Sequence, residues 1–147
     1  MVLPCIFPTG LKRVKGKSSR ATVDEAIKSF IDVQPIGSSI PTYLEQVKQC
    51  EPFLVVYGEA LDPEQVFVVF QKRAIQASSL LKGVDFCFKL YYILDICFPW
   101  QCATTWEFIQ KVIYRLGDSQ GYTSGCVRSL RAYLKCKQSD PQSEEHV

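Results

Sequence analysis

Histidine is almost missing from this chain of 147 residues: its one copy, His146, is the penultimate residue. A nucleophile activated by imidazole is thereby excluded from the body of the chain. Seven cysteines are present, yet no two form a CxxC pair, the spacing expected of a zinc site or a redox dithiol. No GK[ST] triplet closes a glycine-rich stretch, and the EF-hand register is absent. No run of eighteen residues is free of charge, which argues against a membrane-spanning helix. The apolar N-terminus is short, holds Pro4 and Pro8, and is followed by basic residues instead of being preceded by them. That is the wrong order for a secretory signal. Together these absences predict a non-enzymatic intracellular protein, cytoplasmic or nuclear, with no cofactor, no metal and no membrane partner.

What is present fits one folded domain. The length suffices to bury a core without disulfides, and 47% apolar with 22% charged residues is a globular composition. The net charge of +2 hides a segregation. Residues 1–20 carry Lys12, Arg13, Lys15, Lys17 and Arg20 with no acid, a net +5. Residues 21–110 carry −5, residues 111–139 carry +5, and the tail from Asp140 carries −3. Cys5, Cys50, Cys87, Cys97, Cys102, Cys126 and Cys136 are odd in number and mostly sit in apolar runs. They read as small buried hydrophobes in a reducing compartment.

The expected organisation is a flexible basic arm over residues 1–20, a single α+β domain over 21–137, and a disordered polar tail over 138–147. Thr22 and Glu25 have capping-box spacing, so a helix should start there. Val23, Ile27, Phe30 and Ile31 share its face, and Pro35 and Gly37 end it. A second helix fits residues 41–49. Residues 53–57, 65–70 and 73–77 are β-rich and joined by connections too short for parallel crossovers. They predict a short antiparallel meander of about three strands, packed against a helical bundle. Residues 80–97 are the most apolar stretch, polar only along the stripe Lys82, Asp85 and Lys89. That pattern predicts a buried central helix. Helices over 103–116 and 124–137 complete the domain, around a glycine-containing loop.

Several segments carry a family resemblance. They are Leu3-Pro4-Cys5 before the basic stretch, the run Glu51-Pro-Phe-Leu-Val-Val-Tyr-Gly58, and Lys82-Gly-Val-Asp-Phe-Cys-Phe-Lys-Leu90 continuing through Tyr91-Tyr92 and Phe98-Pro99. With Trp106-Glu-Phe-Ile-Gln-Lys-Val-Ile113, their order resembles an uncharacterised family of animal proteins present in many copies per genome. The resemblance spans most of residues 1–116. The helix-Pro-helix segment is also similar to the C-terminal region of certain proteins that carry a sterile alpha motif domain. The family brings no activity or site residue. Its multi-copy distribution implies a mobile-element association and, with it, a nuclear, nucleic-acid-associated role.

Candidate site residues follow from charge and shape. Lys12, Arg13, Lys15, Lys17 and Arg20 suit a nuclear-import signal or an arm that contacts phosphates. Arg128, Arg131 and Lys135, near Lys111, Arg115 and Lys137, could extend an anion-binding surface, with only Tyr122 and Tyr133 nearby for base stacking. Gly117, Gly121 and Gly125 read as a loop between helices. Glu59, Asp62 and Glu64 read as a solvated turn. Cys97 and Cys102 flank the Pro99 turn without a base. Trp106 fits a core stripe, and Trp100 is the candidate partner contact. The leading expectation is a binding or assembly module, associated with nucleic acid through the basic arm. The alternatives are a protein-interaction or homo-oligomerising domain using the apolar central helix, and an enzyme using carboxylates such as Asp85 or Asp95.

Overall fold

The computed structural model describes residues 3–117 and 123–138. The chain divides into two compact units, Met1–Trp106 and Glu107–Val147. The first opens with a short helix α1 (Leu3–Ile6) and two strands, β1 (Leu11–Val14) and β2 (Lys17–Arg20). There follow α2 (Val23–Phe30), β3 (Ile31–Gln34), α3 (Ile40–Gln46), β4 (Phe53–Gly58), β5 (Pro63–Phe70), β6 (Arg73–Ala77) and α4 (Leu80–Ile93). Helix α5 (Ala103–Phe108) begins in this unit. The class is α+β.

The meander is present: β4, β5 and β6 pair antiparallel in chain order. A fourth strand joins it. β3 lies parallel to β4, with Ile31 opposite Leu54 and Gln34 opposite Tyr57. The capping box forms as the spacing demands. The Thr22 hydroxyl accepts from the Glu25 amide at 3.1 Å, and the Glu25 carboxylate accepts from the Thr22 amide at 2.8 Å. However, α2 ends at Phe30, and Ile31 is already extended at φ −139°. The β-branched pair Ile31 and Val33 follows the sheet instead of prolonging the helix. α3 then serves as the crossover that a parallel pairing requires.

β4 is the centre. Leu54, Val55 and Val56 are completely buried, so both faces of the strand need cover. On one face Phe53, Val55, Tyr57 and Val69 form a cluster under Tyr43, Leu44 and Val47 of α3 and its end. The opposite face meets α4, which packs on β4, β5 and β6. Close approach is possible because position 83 is glycine. A Cβ there would lie 2.6 Å from Leu54 Cδ2 and 2.9 Å from Val66 Cγ1. Beyond the glycine, fully buried Trp106 gathers an aromatic cluster. The ring centroids of Phe30, Tyr91 and Phe98 lie 4.7, 5.0 and 6.1 Å from its own. The Tyr91 hydroxyl donates to the Pro52 carbonyl just ahead of β4.

Two expectations need correction here. Helix α4 is buried on one face only, through Gly83, Cys87, Phe88 and Tyr91. Leu81, Tyr92 and Ile93 are exposed beside the polar stripe. Composition measures how apolar a helix is, not how many of its sides are covered. The basic residues 11–20 are also not without structure, since they form the β1–β2 hairpin.

In the second unit α5 passes into a π-helical turn, Ile109–Ile113, followed by α6 (Gly125–Gln138). The regular helix expected over 103–116 is thus interrupted after Phe108, and Ile113 is exposed. The Glu107 carboxylate accepts from the Ser124 amide at 2.8 Å, at the start of α6, while Lys111 Nζ reaches Thr123 Oγ1 at 2.9 Å. Val127 is completely buried. Gly121, Tyr122 and residues 139–147, including His146 and nearly all of the expected polar tail, lie outside the described residues. Among the described residues no helix is long and apolar enough to cross a membrane.

In an exposed helix, glycine to alanine stabilises by about 1 kcal/mol. At Gly83 the added methyl must displace packed Leu54 and Val66 side chains, and overpacking costs roughly 1–3 kcal/mol. Gly83→Ala is therefore expected to lower stability, by about 1 kcal/mol net. Thermal unfolding should show the Tm falling by a few degrees where the exposed-helix rule gives a rise.

Candidate nucleic-acid interface

The five N-terminal cations stand on a two-stranded ribbon. Leu11 pairs with Arg20, Lys12 with Ser19, Arg13 with Ser18 and Val14 with Lys17. The turn is Lys15-Gly16, at φ +49° and +78°. Positive φ at both central residues matches the right-handed twist of the flanking strands, the geometry favoured in two-residue hairpin loops. Gly16 takes it without strain, and Lys15 carries the uncommon half.

Cross-strand partners share a face of the ribbon, and successive residues alternate. Lys12, Val14, Lys17 and Ser19 therefore stand on one face, with Leu11, Arg13, Ser18 and Arg20 on the other. Lys15 occupies the tip. Positive charge thus sits on both faces and the end of an arm about 13 Å long. Every residue from Leu11 to Arg20 is exposed, and no acid lies within the arm.

The base of the ribbon is fixed by backbone contacts. The Gly10 amide donates to the Gln101 carbonyl at 3.2 Å, and the Ala21 amide donates to the Gly10 carbonyl at 2.9 Å. The Arg20 guanidinium donates to the Thr9 carbonyl at 3.0 Å. A Cβ on Gly10 would fall 1.6 Å from the Trp100 carbonyl oxygen, so no other residue fits this approach. Lys12 Nζ stands 5.9 Å from the centre of the Trp100 ring, within cation–π range. Trp100 is half-exposed beneath that ammonium. The expected partner-contact tryptophan and the expected basic arm are thereby brought together.

The second basic group lies in the other unit. Arg128, Arg131 and Lys135 are exposed on α6, spaced to share one helical face. Arg128 also donates to the Thr123 carbonyl at 3.0 Å. Lys111 is held locally, 3.5 Å from Glu107.

A cleft of about 620 Å³, which no sequence signal marks, is lined by Lys28, Asp32, Tyr43, Gln46, Lys48 and Gln49 among others. Asp32 is buried, and the Tyr43 hydroxyl donates to its carboxylate at 2.5 Å. Burial, then the hydrogen bond and charge of Asp32, pushes the Tyr43 phenol far above its ordinary pKa. These two groups satisfy each other and tie α3 to β3. Ser29 donates to the Glu25 carbonyl at 2.8 Å, and Gln49 to the Ser29 carbonyl at 3.0 Å. The cleft thus offers packed, mutually bonded polar groups instead of an activated nucleophile. Asp85 and Asp95 do not line it. Asp85 pairs with Lys89 at 2.7 Å, and Asp95 follows the end of α4 at φ +50°.

Among the described residues no three His, Cys, Asp or Glu side chains are grouped to hold a metal ion. All seven cysteines are free, and only Cys87 and Cys102 are buried, so the expectation that most of them are core residues is corrected. Cys5 and Cys97 lie in apolar sequence but outside the packed faces, whereas Cys50 and Cys136 stand between polar or charged neighbours. Burial pushes the Cys102 thiol up to about 12 and also raises Cys87 well above its usual value. No protein family, no curated protein and no solved structure matches the chain.

Two measurements test this geometry. Gly10→Ala should free the ribbon base and speed exchange of the Ala21 amide on the order of tenfold, a change of about 1.4 kcal/mol, with the β4–β6 amides unaffected. Iodoacetamide at pH 8 should modify Cys5, Cys50, Cys97 and Cys136, leaving Cys87 and Cys102 unmodified until denaturant is added.

Proposed function

We propose that this protein is a non-enzymatic binding module that engages nucleic acid through the cationic ribbon, inside the cell and in the nucleus. One observation carries the proposal: five cations and no acid distributed over both faces and the tip of an exposed two-stranded ribbon. The major groove of duplex DNA admits a two-stranded β-ribbon, and its walls are two rows of phosphates. A ribbon charged on both faces meets both rows, whereas a flat acidic surface would use only one face. Ser18 and Ser19 add hydroxyl donors of the kind that contact phosphate oxygens. The resemblance to a multi-copy animal family points in the same direction.

Such binding is governed by counterion release and is largely independent of sequence. With five ribbon contacts the logarithm of affinity should fall with the logarithm of salt at a slope near −4.5, about −0.9 for each contact. Between about 50 and 200 mM salt this is a loss of roughly 500-fold. Replacing Lys15 and Lys17 by alanine should make the slope shallower by about 1.8. Fluorescence anisotropy with a mixed-sequence duplex measures both quantities. Binding insensitive to salt, or unaltered when all five ribbon cations are replaced, would overturn the proposal.

A further inference from the structure

The uncovered side of α4 has an internal order. Asp85 and Lys89 occupy its middle, in a 2.7 Å ion pair. Leu81 and Tyr92, 79% and 61% exposed, lie along one margin near opposite ends of the helix. Lys82 and Ile93, the latter 75% exposed, hold corresponding places along the other margin. Phe86, also exposed, sits near the midpoint. A helix advances about 100° and 1.5 Å per residue, so these positions form one face about 18 Å long. The middle of the face is self-complementary about residue 87: Asp85 stands as far before it as Lys89 stands after it.

Self-complementary charge and shape are what a twofold axis demands, since in an isologous contact one surface meets its own copy. When two such helices pack antiparallel across an axis near residue 87, each residue meets the one equally far from the midpoint on the same margin. Leu81 then packs on Tyr92 of the partner subunit. The stem of Lys82 lies along Ile93 of the partner subunit, and Phe86 meets the partner's Phe86. Asp85 faces Lys89 of the partner subunit, and the reciprocal pair repeats across the axis. Every charge in the middle of the face meets its opposite, and every large apolar side chain at the margins finds cover.

We infer that α4 is a homodimerisation face whose occupant is a second copy of this chain in antiparallel, twofold-related orientation. The inference does not rest on nucleic-acid binding, and the ribbon plays no part in it. A single helix pair buries less than the roughly 800 Å² per partner of a standard interface, so the dimer is weak, dissociating in the range of about 10–100 μM.

Charge reversal on the full chain separates a contact between copies from the ion pair within one helix. In Asp85→Lys, two lysines face each other at both symmetric contacts. In Lys89→Asp, two acids do. Each variant alone should dimerise roughly 10- to 50-fold more weakly than the parent by sedimentation equilibrium. Mixed together, they restore opposite charges at both contacts, so a heterodimer should form with nearly the parent affinity. Neither chain regains its own Asp85–Lys89 ion pair in the mixture, so a role confined to one helix predicts no recovery. Circular dichroism checks that each variant is folded, and Leu81→Glu, which breaks the apolar margin, should also give monomers. A parent chain that stays monomeric at several hundred micromolar overturns the inference, as does a mixture that fails to associate, or a dimer indifferent to these substitutions.

Discussion

The burial of β4 on both faces is the constraint from which the rest of the first unit follows. A strand with Leu54, Val55 and Val56 all removed from water cannot stand at the edge of a sheet or over solvent. It needs neighbours on either side, supplied by β3 and β5, and cover above and below, supplied by α3 and α4. The chain meets these needs in different ways. α3 covers its face as the crossover between β3 and β4. α4 reaches the other face after the meander ends and settles close because Gly83 presents no side chain to Leu54 and Val66. The polar links serve the same strand. Tyr91 donates to the carbonyl of Pro52, and Tyr43 holds α3 to Asp32 on β3.

Much of this was legible where a local rule had no competitor. The Thr22–Glu25 capping box, the β4–β5–β6 meander and the start of α4 depend on neighbours within a few residues, so spacing was enough to place them. β3 was hidden because Phe30 and Ile31 continue the helical spacing of Val23 and Ile27, and only pairing with β4 selects the extended form. The β1–β2 hairpin was hidden because its strands carry cations on both faces instead of alternating apolar residues, and its Lys15-Gly16 turn lacks the usual Asn or Asp. The candidate interface was therefore legible as a set of residues but not as a shape. Charge named Lys12, Arg13, Lys15, Lys17 and Arg20, whereas their distribution over two faces depends on a register that only the folded chain reveals. The cleft beside Asp32 had no signature at all, because its lining comes from α2, β3 and α3 as they converge.

The ribbon and α4 solve opposite problems within one unit. The ribbon has almost no core of its own, and an isolated two-stranded hairpin is marginal in water. Its order comes from its root, where the Gly10 amide donates to the Gln101 carbonyl, the Ala21 amide donates to the Gly10 carbonyl, and Lys12 covers Trp100. α4 has abundant core contact and, beyond it, more apolar surface than the sheet can use. The first element needs the fold to hold charge in place. The second has apolar side chains left over for association.

The mixed pairing of the sheet also dictates an order of assembly. β4, β5 and β6 are joined by short turns, so their contacts close at small entropic cost. β3 can join only after α3 has crossed over, a longer closure that must precede any gain from Ile31 against Leu54. The meander contacts are therefore the cheapest to close, whereas those of β3, which carry α2 and Phe30 to Trp106, wait on the longer closure. Perturbing the β5–β6 turn then slows folding, whereas loosening β3 chiefly hastens unfolding. Because β3 is also the parallel edge of the sheet, its departure would uncover a row of unpaired β4 backbone groups, a template for pairing with another chain.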